Sequence, residues 1–446
     1  MKENQTPARA RLGAFFDVGT FVELGAYIRR PGTKDAEEGV VCGYGALGGR
    51  LVFAFAQDST KMKGALDARH AEKIAMLYSM ALKNGAPVVG MFDSVGATVA
   101  DGASVLSAYG KLLRVVSDAS GIIPQIAIIN GVCAGMAATV AAMFDVVVTI
   151  KGQSELYVNA PFLAGKEIGT TDYTAVNGLA TITAENEGEA VAKAIQLVSM
   201  LPSNCEEGVA IEDITDDINR TVEVEGLSGK ALVEALCDAN SFVALGEAYA
   251  TEMITGIASF GGVTCGVVAN DASVNGGVIT CDGAKKAAKL ISFCDSFSIP
   301  VVTLVDSLGL AIDAENETLF APELAKLATA YASASCPKIT VICGHAIGAS
   351  FVLLGSKALG ADLVYALDDS EIGALNSESS VAFAWDKYIT EENTRENLIA
   401  EWRSSISSPV YAASSGEIDD IISINEMRAR ICSALLMLSA KGNAYA

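Results

Sequence analysis

The chain has 446 residues, of which 51% are hydrophobic and 19% are charged, so it can form two or three globular domains with their own cores. Its formal net charge of −22 at pH 7 argues against nucleic acid or an anionic membrane as the main partner, because both favour positive charge. With only two histidines, His70 and His345, a histidine-rich metal site or a Ser-His-Asp triad is hard to build, and no metal site is predicted.

The cysteines and the N-terminus predict a cytoplasmic protein. Ten cysteines are scattered without a C-x-x-C pattern, which favours reduced and mostly buried thiols. Residues 1–7 lack the apolar run of a signal peptide. Residues 121–144 carry no charge and are long enough to span a bilayer, but Pro124, Gln125 and Asn130 interrupt them. We therefore expect a buried strand, a glycine turn and a buried helix there.

The predicted elements alternate between strands and helices in both halves of the chain. In the first half they are strand 51–56, helix 69–84, strand 87–92, strand 126–129 and an Ala-rich helix from Gly135. In the second half they are strand 264–269, helix 283–296, strand 300–305, strand 339–342 and a helix from Gly348. Apolar strands that alternate with helices predict an α/β fold with a mostly parallel, buried sheet in each half.

The two halves are copies of one module. Residues 57–137 align without gaps on residues 270–350, at a constant offset of 213 (270 − 57 = 213). The repeat extends outward to about 9–200 and 230–446, and residues 202–219 between the copies are acidic, as in a solvated linker. The sequence thus predicts two domains, 1–220 and 221–446.

Each half has two glycine-containing turns that follow predicted strands. These turns are residues 93–97, 131–137, 306–310 and 344–350. Glycine lets the backbone approach a ligand closely, and a helix that begins at such a turn has unpaired N–H groups. Two turns at one sheet edge can aim two N–H groups at one oxygen, an oxyanion hole for the enolate of a thioester or of a urea carbonyl. One such turn alone is usually a packing feature, but four in duplicated register favour function.

An ordered set of motifs along nearly the whole chain resembles the carboxyltransferase subunit of biotin-dependent acyl-CoA carboxylases and decarboxylases. The motifs lie at residues 8–12, 17–24, 53–58, 83–87, 131–135, 201–204, 293–306, 355–362 and 416–422. The resemblance implies two tandem crotonase-like domains related by internal duplication. It also implies that the N-terminal domain binds acyl-CoA and that the C-terminal domain receives biotin on a separate carrier. Sites formed by the N half of one subunit and the C half of another imply a homo-oligomer, from a dimer to a hexamer.

The resemblance also implies the site residues and the partners. The acyl-CoA oxyanion hole falls on Gly96, Ala97, Gly135 and Met136. The biotin oxyanion hole falls on Gly309, Gly348 and Ala349. The implied partners are a biotin carrier protein and either a biotin carboxylase or a sodium-pumping membrane subunit, which would attach a cytoplasmic chain to a membrane complex. The coenzyme A thioester is the substrate.

The chain departs from the family pattern at several positions. The second glycine of the family's Gly-Gly pairs is replaced by Met136 and by Ala349, and Thr98 stands where the family has arginine. Residues 308–310 read Leu-Gly-Leu where the family has Pro-Gly-Phe. Backbone donors survive such changes, but Met136 can narrow the acyl pocket.

Lys61, Lys63 and His345 are further candidates for ligand binding. The two lysines lie just before the helix at 69–84 and are either ligands of the CoA phosphates or ordinary solvated lysines. His345 precedes the second oxyanion turn and either forms a hydrogen bond near biotin or has a structural role.

Other charged residues are expected to be structural. Asp93 and Asp306 are interpreted as turn-capping aspartates rather than general bases. Residues 419–420 are expected to begin a solvated helix, with Arg428 and Arg430 on its exposed side.

The predicted function is carboxyl transfer between an acyl-CoA, such as malonyl- or methylmalonyl-CoA, and biotin on a separate carrier. Two alternatives remain open at this point. One is a non-catalytic scaffold that retains the fold, and the other is a biotin-independent crotonase-type hydratase or isomerase. The latter needs an acidic side chain in the acyl site, and the sequence places none there convincingly.

Overall fold

The computed structural model describes residues 6–29, 39–209, 214, 216–439 and 441. The chain forms two compact units, Met1–Gly208 and Val209–Ala446. Their boundary lies twelve residues before the predicted one at 220 (220 − 208 = 12). The assignment of acyl-CoA to residues 1–220 and of biotin to residues 221–446 stays a prediction.

Within its described residues, the N-terminal unit has one sheet of eight strands. The strands are β1 (Val22–Leu24), β2 (Val40–Leu47), β3 (Arg50–Gln57), β4 (Val88–Ser94), β5 (Gln125–Ala134), β6 (Val146–Ile150), β7 (Glu155–Tyr157) and β8 (Ile182–Ala184). The helices are α1 (Pro7–Phe15), α2 (Ala68–Asn84), α3 (Ala103–Ala119), α4 (Met136–Ala142), α5 (Pro161–Ala164), α6 (Thr171–Val176) and α7 (Glu187–Met200). The strand order is β1-β2-β3-β4-β5-β6-β8, with β7 paired to the end of β5.

The C-terminal unit repeats this arrangement, again with eight strands among its described residues. The strands are β9 (Val243–Ala244), β10 (Met253–Phe260), β11 (Val263–Asn270), β12 (Val301–Ser307), β13 (Lys338–Ile347), β14 (Leu363–Leu367), β15 (Glu371–Gly373) and β16 (Asp420–Ile422). The helices are α8 (Gly229–Leu236), α9 (Cys281–Ser296), α10 (Ala314–Ser333), α11 (Ala349–Leu353), α12 (Ser377–Ser380), α13 (Arg395–Ser405), α14 (Pro409–Ser414) and α15 (Met427–Leu438). The order β9-β10-β11-β12-β13-β14-β16, with β15 paired to β13, matches the first unit strand for strand.

Local sequence signals account for the long helices. α2 begins after Asp67, whose carboxylate accepts a hydrogen bond from the N–H of His70, and it ends at Gly85, which is left-handed with φ of 57°. α9 begins after Thr280, whose hydroxyl oxygen accepts a hydrogen bond from the N–H of Gly283. Side-chain caps at the N-terminus and a left-handed glycine at the C-terminus each stabilise a helix end. The predicted helices at 69–84 and 283–296 are confirmed to within two residues.

The strands that lead to the glycine turns are buried and mostly parallel, as predicted. β3, β4, β5 and β6 pair in parallel, whereas β1, β2 and β3 pair antiparallel. Phe55, Phe92 and Phe144 pack edge to face between sheet and helices, with ring centroids 5.4 and 5.5 Å apart. Each buried phenylalanine contributes about 1.5–3 kcal/mol, so this cluster fixes the strands that carry the turns.

The uncharged stretch at 121–144 forms β5, a turn at Gly135 and α4, as the sequence predicts. Among the described residues, no helix combines the length and the apolar character needed to cross a bilayer.

The expectation for the C-terminal charges is wrong. Residues 419–420 lead into strand β16 and do not begin a helix. The guanidinium of Arg428 is fully buried and forms an ion pair of 2.6 Å with Asp238, so Arg428 does not lie on the exposed side of α15. The same carboxylate accepts hydrogen bonds from the N–H groups of Gly261 and Gly262, so Arg428 fastens α15 to the β10–β11 hairpin.

The prediction that residues 202–219 form a solvated linker is partly wrong, because part of this segment also lies against Arg428. Asp216 pairs with Arg220 at 2.9 Å and lies 3.5 Å from Arg428, with only 14% of its side chain exposed. This part of residues 202–219 therefore packs on the C-terminal unit. Residues 210–213 and 215 of the predicted linker lie outside the described residues.

Candidate active sites

The first turn of the N-terminal unit follows β4 and presents the N–H of Ala97. Gly96 has φ of 105°, a conformation that favours glycine, and its N–H donates to the Ser94 hydroxyl at 3.1 Å. Leu66 forms a parallel bridge with Ala97, in which it bonds to the carbonyl of Gly96 and to the N–H of Thr98. The N–H of Ala97 points away from that bridge and has no acceptor among the described residues. It is therefore free to bind a ligand.

The second turn follows β5 and presents the N–H of Met136. Gly135 has φ of 64° and ψ of −130°, and its own N–H donates to the carbonyl of Tyr157 at 2.9 Å. Met136 is the first residue of α4, so its N–H has no partner within the helix, and no other described residue accepts a bond from it. Met136 as a whole is 38% exposed, so its thioether side chain lies partly in solvent beside this donor.

The two turns touch each other. Ser94 pairs with Cys133 after a shift in the β4–β5 register, which is a local irregularity of the kind that often lies beside active sites. A Cβ atom at Gly96 would lie 3.3 Å from the carbonyl oxygen of Ala134. Glycine at position 96 thus lets the turn that carries Ala97 pack against the turn that carries Met136. Two unpaired N–H groups on adjacent turns are the donors that an oxyanion hole requires.

The C-terminal unit contains the same arrangement. Gly309 has φ of 118°, and the bridge between Ile279 and Leu310 leaves the N–H of Leu310 without an acceptor among the described residues. Gly348 has φ of 58° and donates its N–H to the carbonyl of Gly373 at 2.8 Å. Ala349, at the start of α11, keeps its N–H unpaired within the described part of the chain. Leu310 and Ala349 are thus the candidate donors of the second site.

The geometry gives the predicted residues distinct roles. Gly96, Gly135, Gly309 and Gly348 supply backbone conformations, and their own N–H groups are already bonded: those of Gly96 and Gly309 within their turns, and those of Gly135 and Gly348 to strands β7 and β15. Ala97, Met136 and Ala349 keep the free donors. The sequence prediction does not include Leu310, although the repeat offset from Ala97 points to it (310 − 97 = 213).

A carboxylate lies between the turns of each unit. Asp93 accepts hydrogen bonds from Ser59 at 2.8 Å and from Arg11 at 3.2 Å. Asp306 accepts two hydrogen bonds through one oxygen, from the N–H of His345 at 2.8 Å and from its Nδ1 at 3.0 Å. Among the described residues, both carboxylates accept hydrogen bonds from outside their own turns and none from within them, so the expectation that they cap their own turns is wrong. That they do not act as general bases stays a prediction.

His345 is oriented by Asp306 and is half-exposed. Because an ionised carboxylate only accepts hydrogen bonds, Nδ1 carries the proton, and Nε2 is left for solvent or a ligand. The hydrogen bond to Asp306 raises the pKa of His345 above its ordinary value, against an opposing effect of burial.

Lys61 and Lys63 lie on the loop between β3 and α2, next to the first turn. The carbonyl of Lys63 accepts a hydrogen bond from the N–H of Val95 at 3.2 Å, and Lys63 has φ of 53°. No carboxylate of the described residues pairs with either ammonium group. The equivalent positions of the second unit are Val274 and Gly276 (61 + 213 = 274; 63 + 213 = 276), so the cations are specific to the N-terminal unit.

Side-chain nucleophiles and metal clusters are not evident among the described residues. Ser94 and Ser307 are fully buried and bonded within their turns. Eight of the ten cysteines are buried, and burial raises the pKa of Cys42 to about 12, which keeps this thiol protonated. No group of three or more His, Cys, Asp or Glu side chains in the described ranges is arranged to hold a metal ion.

The fold and the paired amide sites define a protein with two crotonase-like domains. A family model described as the carboxyl transferase domain matches residues 1–445. The chain is 34% identical to methylmalonyl-CoA decarboxylase subunit alpha of Veillonella parvula, over 98% of this chain and 91% of that protein. It is 32% identical to propionyl-CoA carboxylase beta chain of Roseobacter denitrificans, over 97% of this chain and 91% of that protein.

A solved structure extends the likeness to three dimensions. The transcarboxylase 12S structure, a hexamer with methylmalonyl-CoA bound, matches with a TM-score of 0.92 and 31% identity, over 98% of this chain and 90% of that chain. The chain belongs to the carboxyl transferase family. This confirms the resemblance, the predicted fold and the predicted enzyme class, an acyl-CoA carboxyltransferase.

Proposed function

We propose that the chain transfers a carboxyl group between a short acyl-CoA and biotin attached to a separate carrier protein. The N-terminal unit holds the thioester, and the C-terminal unit holds the ureido ring of biotin. One observation carries this proposal: each unit has two unpaired main-chain N–H groups on adjacent turns, from Ala97 and Met136 in the first and from Leu310 and Ala349 in the second.

These donors suit the charge that develops during carboxyl transfer. When the carboxyl group leaves the acyl-CoA, negative charge moves onto the thioester oxygen, where Ala97 and Met136 can donate to it. Biotin, when bound, supplies the ring nitrogen that exchanges its proton with the α-carbon of the acyl group and in return accepts or gives up the carboxyl group. Leu310 and Ala349 can then donate to the ureido oxygen. A preorganised donor of this kind lowers the barrier by about 3–4 kcal/mol. No catalytic acid or base side chain is required, which agrees with the buried, bonded state of Ser94 and Ser307.

The loop at Lys61 and Lys63 supports CoA binding by the N-terminal unit. The CoA phosphates need cations, and in a chain with net charge −22 these two lysines lie beside the Ala97 turn without a carboxylate partner from the described residues. We assign them to the phosphates of the acyl-CoA. Arg11 lies beside the Asp93 turn, but its positive charge is not free for a phosphate. Its guanidinium pairs with Asp93 at 3.2 Å and with Glu187 at 2.7 Å.

The chain is further proposed to work as a homo-oligomer with a biotin carrier protein. The hexamer named for transcarboxylase 12S supports the oligomer. The similar relatives include both carboxylase and decarboxylase subunits, so the third partner is either a biotin carboxylase or a sodium-pumping membrane subunit. Purification of the tagged chain from its native cells tests this choice, because only one of these two proteins is expected to co-purify.

A non-catalytic scaffold is the second candidate function. Met136 favours it, since its partly exposed side chain occupies the position beside the acyl-site donors where the family has glycine. A biotin-independent hydratase is supported less well, because the carboxylate between the two turns, Asp93, is engaged by Arg11 and Ser59.

Transfer of labelled carboxyl groups tests the function directly. The purified chain is incubated with malonyl-CoA or methylmalonyl-CoA, labelled with ¹⁴C in the free carboxyl group, and with free biotin. Label in biotin is the expected result. Loss of label as CO₂ in the absence of biotin would instead indicate a biotin-independent reaction. Tight binding of the acyl-CoA without release or transfer of label would identify a scaffold.

A further inference from the structure

Asp93 and Asp306, the carboxylates between the turns, occupy equivalent positions of the repeat (306 − 93 = 213) but pair with different cations. Glycine at positions 131 and 344 leaves room for them. A Cβ atom at Gly131 would lie 2.3 Å from Asp93 Oδ1, and one at Gly344 would lie 2.5 Å from Asp306 Oδ1. Asp93 pairs with Arg11, whose guanidinium stays charged at all accessible pH values. Asp306 pairs with His345, whose charge changes near neutral pH.

The His345–Asp306 pair joins the two strands that carry the biotin-side donors. Asp306 lies three positions before Gly309, and His345 lies three positions before Gly348 (309 − 306 = 3; 348 − 345 = 3). The regular register between β12 and β13 is broken between Val305 and Ser307, where the strands separate into their turns. At this break the carboxylate of Asp306 links the two strands in place of the regular backbone bonds. It accepts one hydrogen bond from the backbone N–H of His345 and one from its imidazole.

Three charged groups on three elements face the imidazole. Asp306 comes from β12, and Glu371 lies opposite His345 in the β13–β15 ladder. Arg403 from α13 donates to Glu371 at 3.0 Å. The hydrogen bond and the charge of Asp306, together with the charge of Glu371, raise the pKa of His345, whereas burial and Arg403 lower it. With 44% of its side chain exposed, His345 can exchange its proton with solvent.

We propose that His345 is a positioning residue whose protonated imidazole, held by Asp306, keeps the Leu310 and Ala349 donors in register, so that the biotin half of the reaction alone weakens at alkaline pH. This inference rests on the proposed function. Below the pKa of His345 the pair is an imidazolium–carboxylate pair. Above it the imidazole is neutral, the pair loses its charge attraction, and the two turns are held less firmly. The N-terminal unit has no such change, because Arg11 keeps its charge.

The first test is the titration of the imidazole itself. The chain has two histidines, and the His345→Gln variant identifies the His345 resonance by its absence. NMR of ¹³C-labelled histidine should give His345 a pKa above about 6.5, and Asp306→Asn should return the value towards about 6.5. An unshifted pKa, or one that Asp306→Asn leaves unchanged, overturns the proposal.

The second test is the pH profile of carboxyl transfer with each substrate varied in turn. For the wild type, kcat/KM for free biotin should fall about tenfold in total as the pH rises through the pKa of His345 and then level off, while kcat/KM for the acyl-CoA shows no such fall. The His345→Arg variant keeps a positive charge and should lose the fall. The His345→Gln variant should be lower by about tenfold below the pKa, because misplacement of catalytic groups is costly, and it should also lack the fall.

The outcomes separate this inference from the proposed function. A fall that persists in active His345→Arg and His345→Gln variants, or one that is equal for both substrates, refutes the positioning role and leaves the function intact. Absence of transfer by the wild type at every pH refutes the proposed function, and the positioning role falls with it.

Discussion

The N–H of Gly135 donates a hydrogen bond of 2.9 Å to the carbonyl oxygen of Tyr157, so Gly135 itself has no donor left for a ligand. Gly348 is bound to Gly373 in the same way at 2.8 Å. Each glycine instead aims the next residue's N–H outward. The free donors of the proposed sites therefore belong to Met136 and Ala349, and the glycines act through their backbone conformation.

This relationship predicts the effect of Gly135→Ala. Nothing lies within 4 Å of a Cβ atom added at position 135, so the alanine is not destabilised by a clash. Its cost in unfolding free energy comes from the backbone conformation, with φ of 64° and ψ of −130°. We expect a loss of about 1–3 kcal/mol in unfolding free energy and a marked fall in kcat, because the Met136 donor moves. Gly48→Ala is the control, since Gly48 also has positive φ and open space but lies in the β2–β3 hairpin. Equal kcat for the two variants would argue against the role of Gly135.

Lys61 and Lys63 should act on substrate binding. The double variant Lys61→Gln/Lys63→Gln should raise KM for the acyl-CoA several-fold and leave kcat unchanged, because phosphate contacts are the same in ground state and transition state. A pantetheine thioester, which lacks the nucleotide phosphates, should be transferred equally well by the variant and the wild type.

Lys83→Gln provides the matched control for that experiment. Lys83 lies in the last turn of α2, about 25 Å along the helix from the lysine loop. Its loss should leave KM for the acyl-CoA unchanged. An identical rise in KM for both variants would show that net charge, and not a phosphate site, is responsible.

Loss of the hydroxyl group should change the unfolding free energy differently at two buried tyrosines. Tyr78 and Tyr109 line the same small cavity of about 10 Å³ in the N-terminal unit. The hydroxyl of Tyr78 donates to Gln125 at 2.8 Å, whereas that of Tyr109 has no partner among the described residues. Tyr78→Phe should cost about 0.5–1.5 kcal/mol in urea unfolding, and Tyr109→Phe should be neutral or stabilising. A comparable loss from Tyr109→Phe would mean that a water molecule in the cavity bonds to its hydroxyl.

Arg428 and Arg430 form a second matched pair, on α15. Arg428 is fully buried against Asp238, whereas Arg430 pairs with Asp420 at 3.2 Å with 42% of its side chain exposed. Arg428→Met leaves a buried carboxylate without its cation and should cost about 3–5 kcal/mol. Arg430→Met should change the unfolding free energy by no more than about 1 kcal/mol. Similar unfolding midpoints for the two variants would contradict this account of Arg428.

The sequence was sufficient for the features that local signals and the repeat encode. Helix α2 could be placed because its apolar spacing ends at Gly85, and the turns could be placed because positions 135 and 348 share one offset. One feature could not be predicted for a physical reason: the Arg428–Asp238 pair joins residues 190 positions apart, which no local signal connects. The donor role of Leu310 could have been predicted, because Leu310 stands at the repeat offset from Ala97.

Removal of single N–H groups tests the central claim most directly. Met136 and Ala349 are the first residues of α4 and α11, a position that tolerates proline. Met136→Pro and Ala349→Pro therefore delete one donor each with little change in fold, while Met136→Gly and Ala349→Gly keep the donor. In carboxyl transfer from malonyl- or methylmalonyl-CoA to free biotin, we expect kcat to fall about 10²–10³-fold in each proline variant and to stay near wild type in each glycine variant. Wild-type kcat in either folded proline variant would contradict the claim that these main-chain amides stabilise the charge.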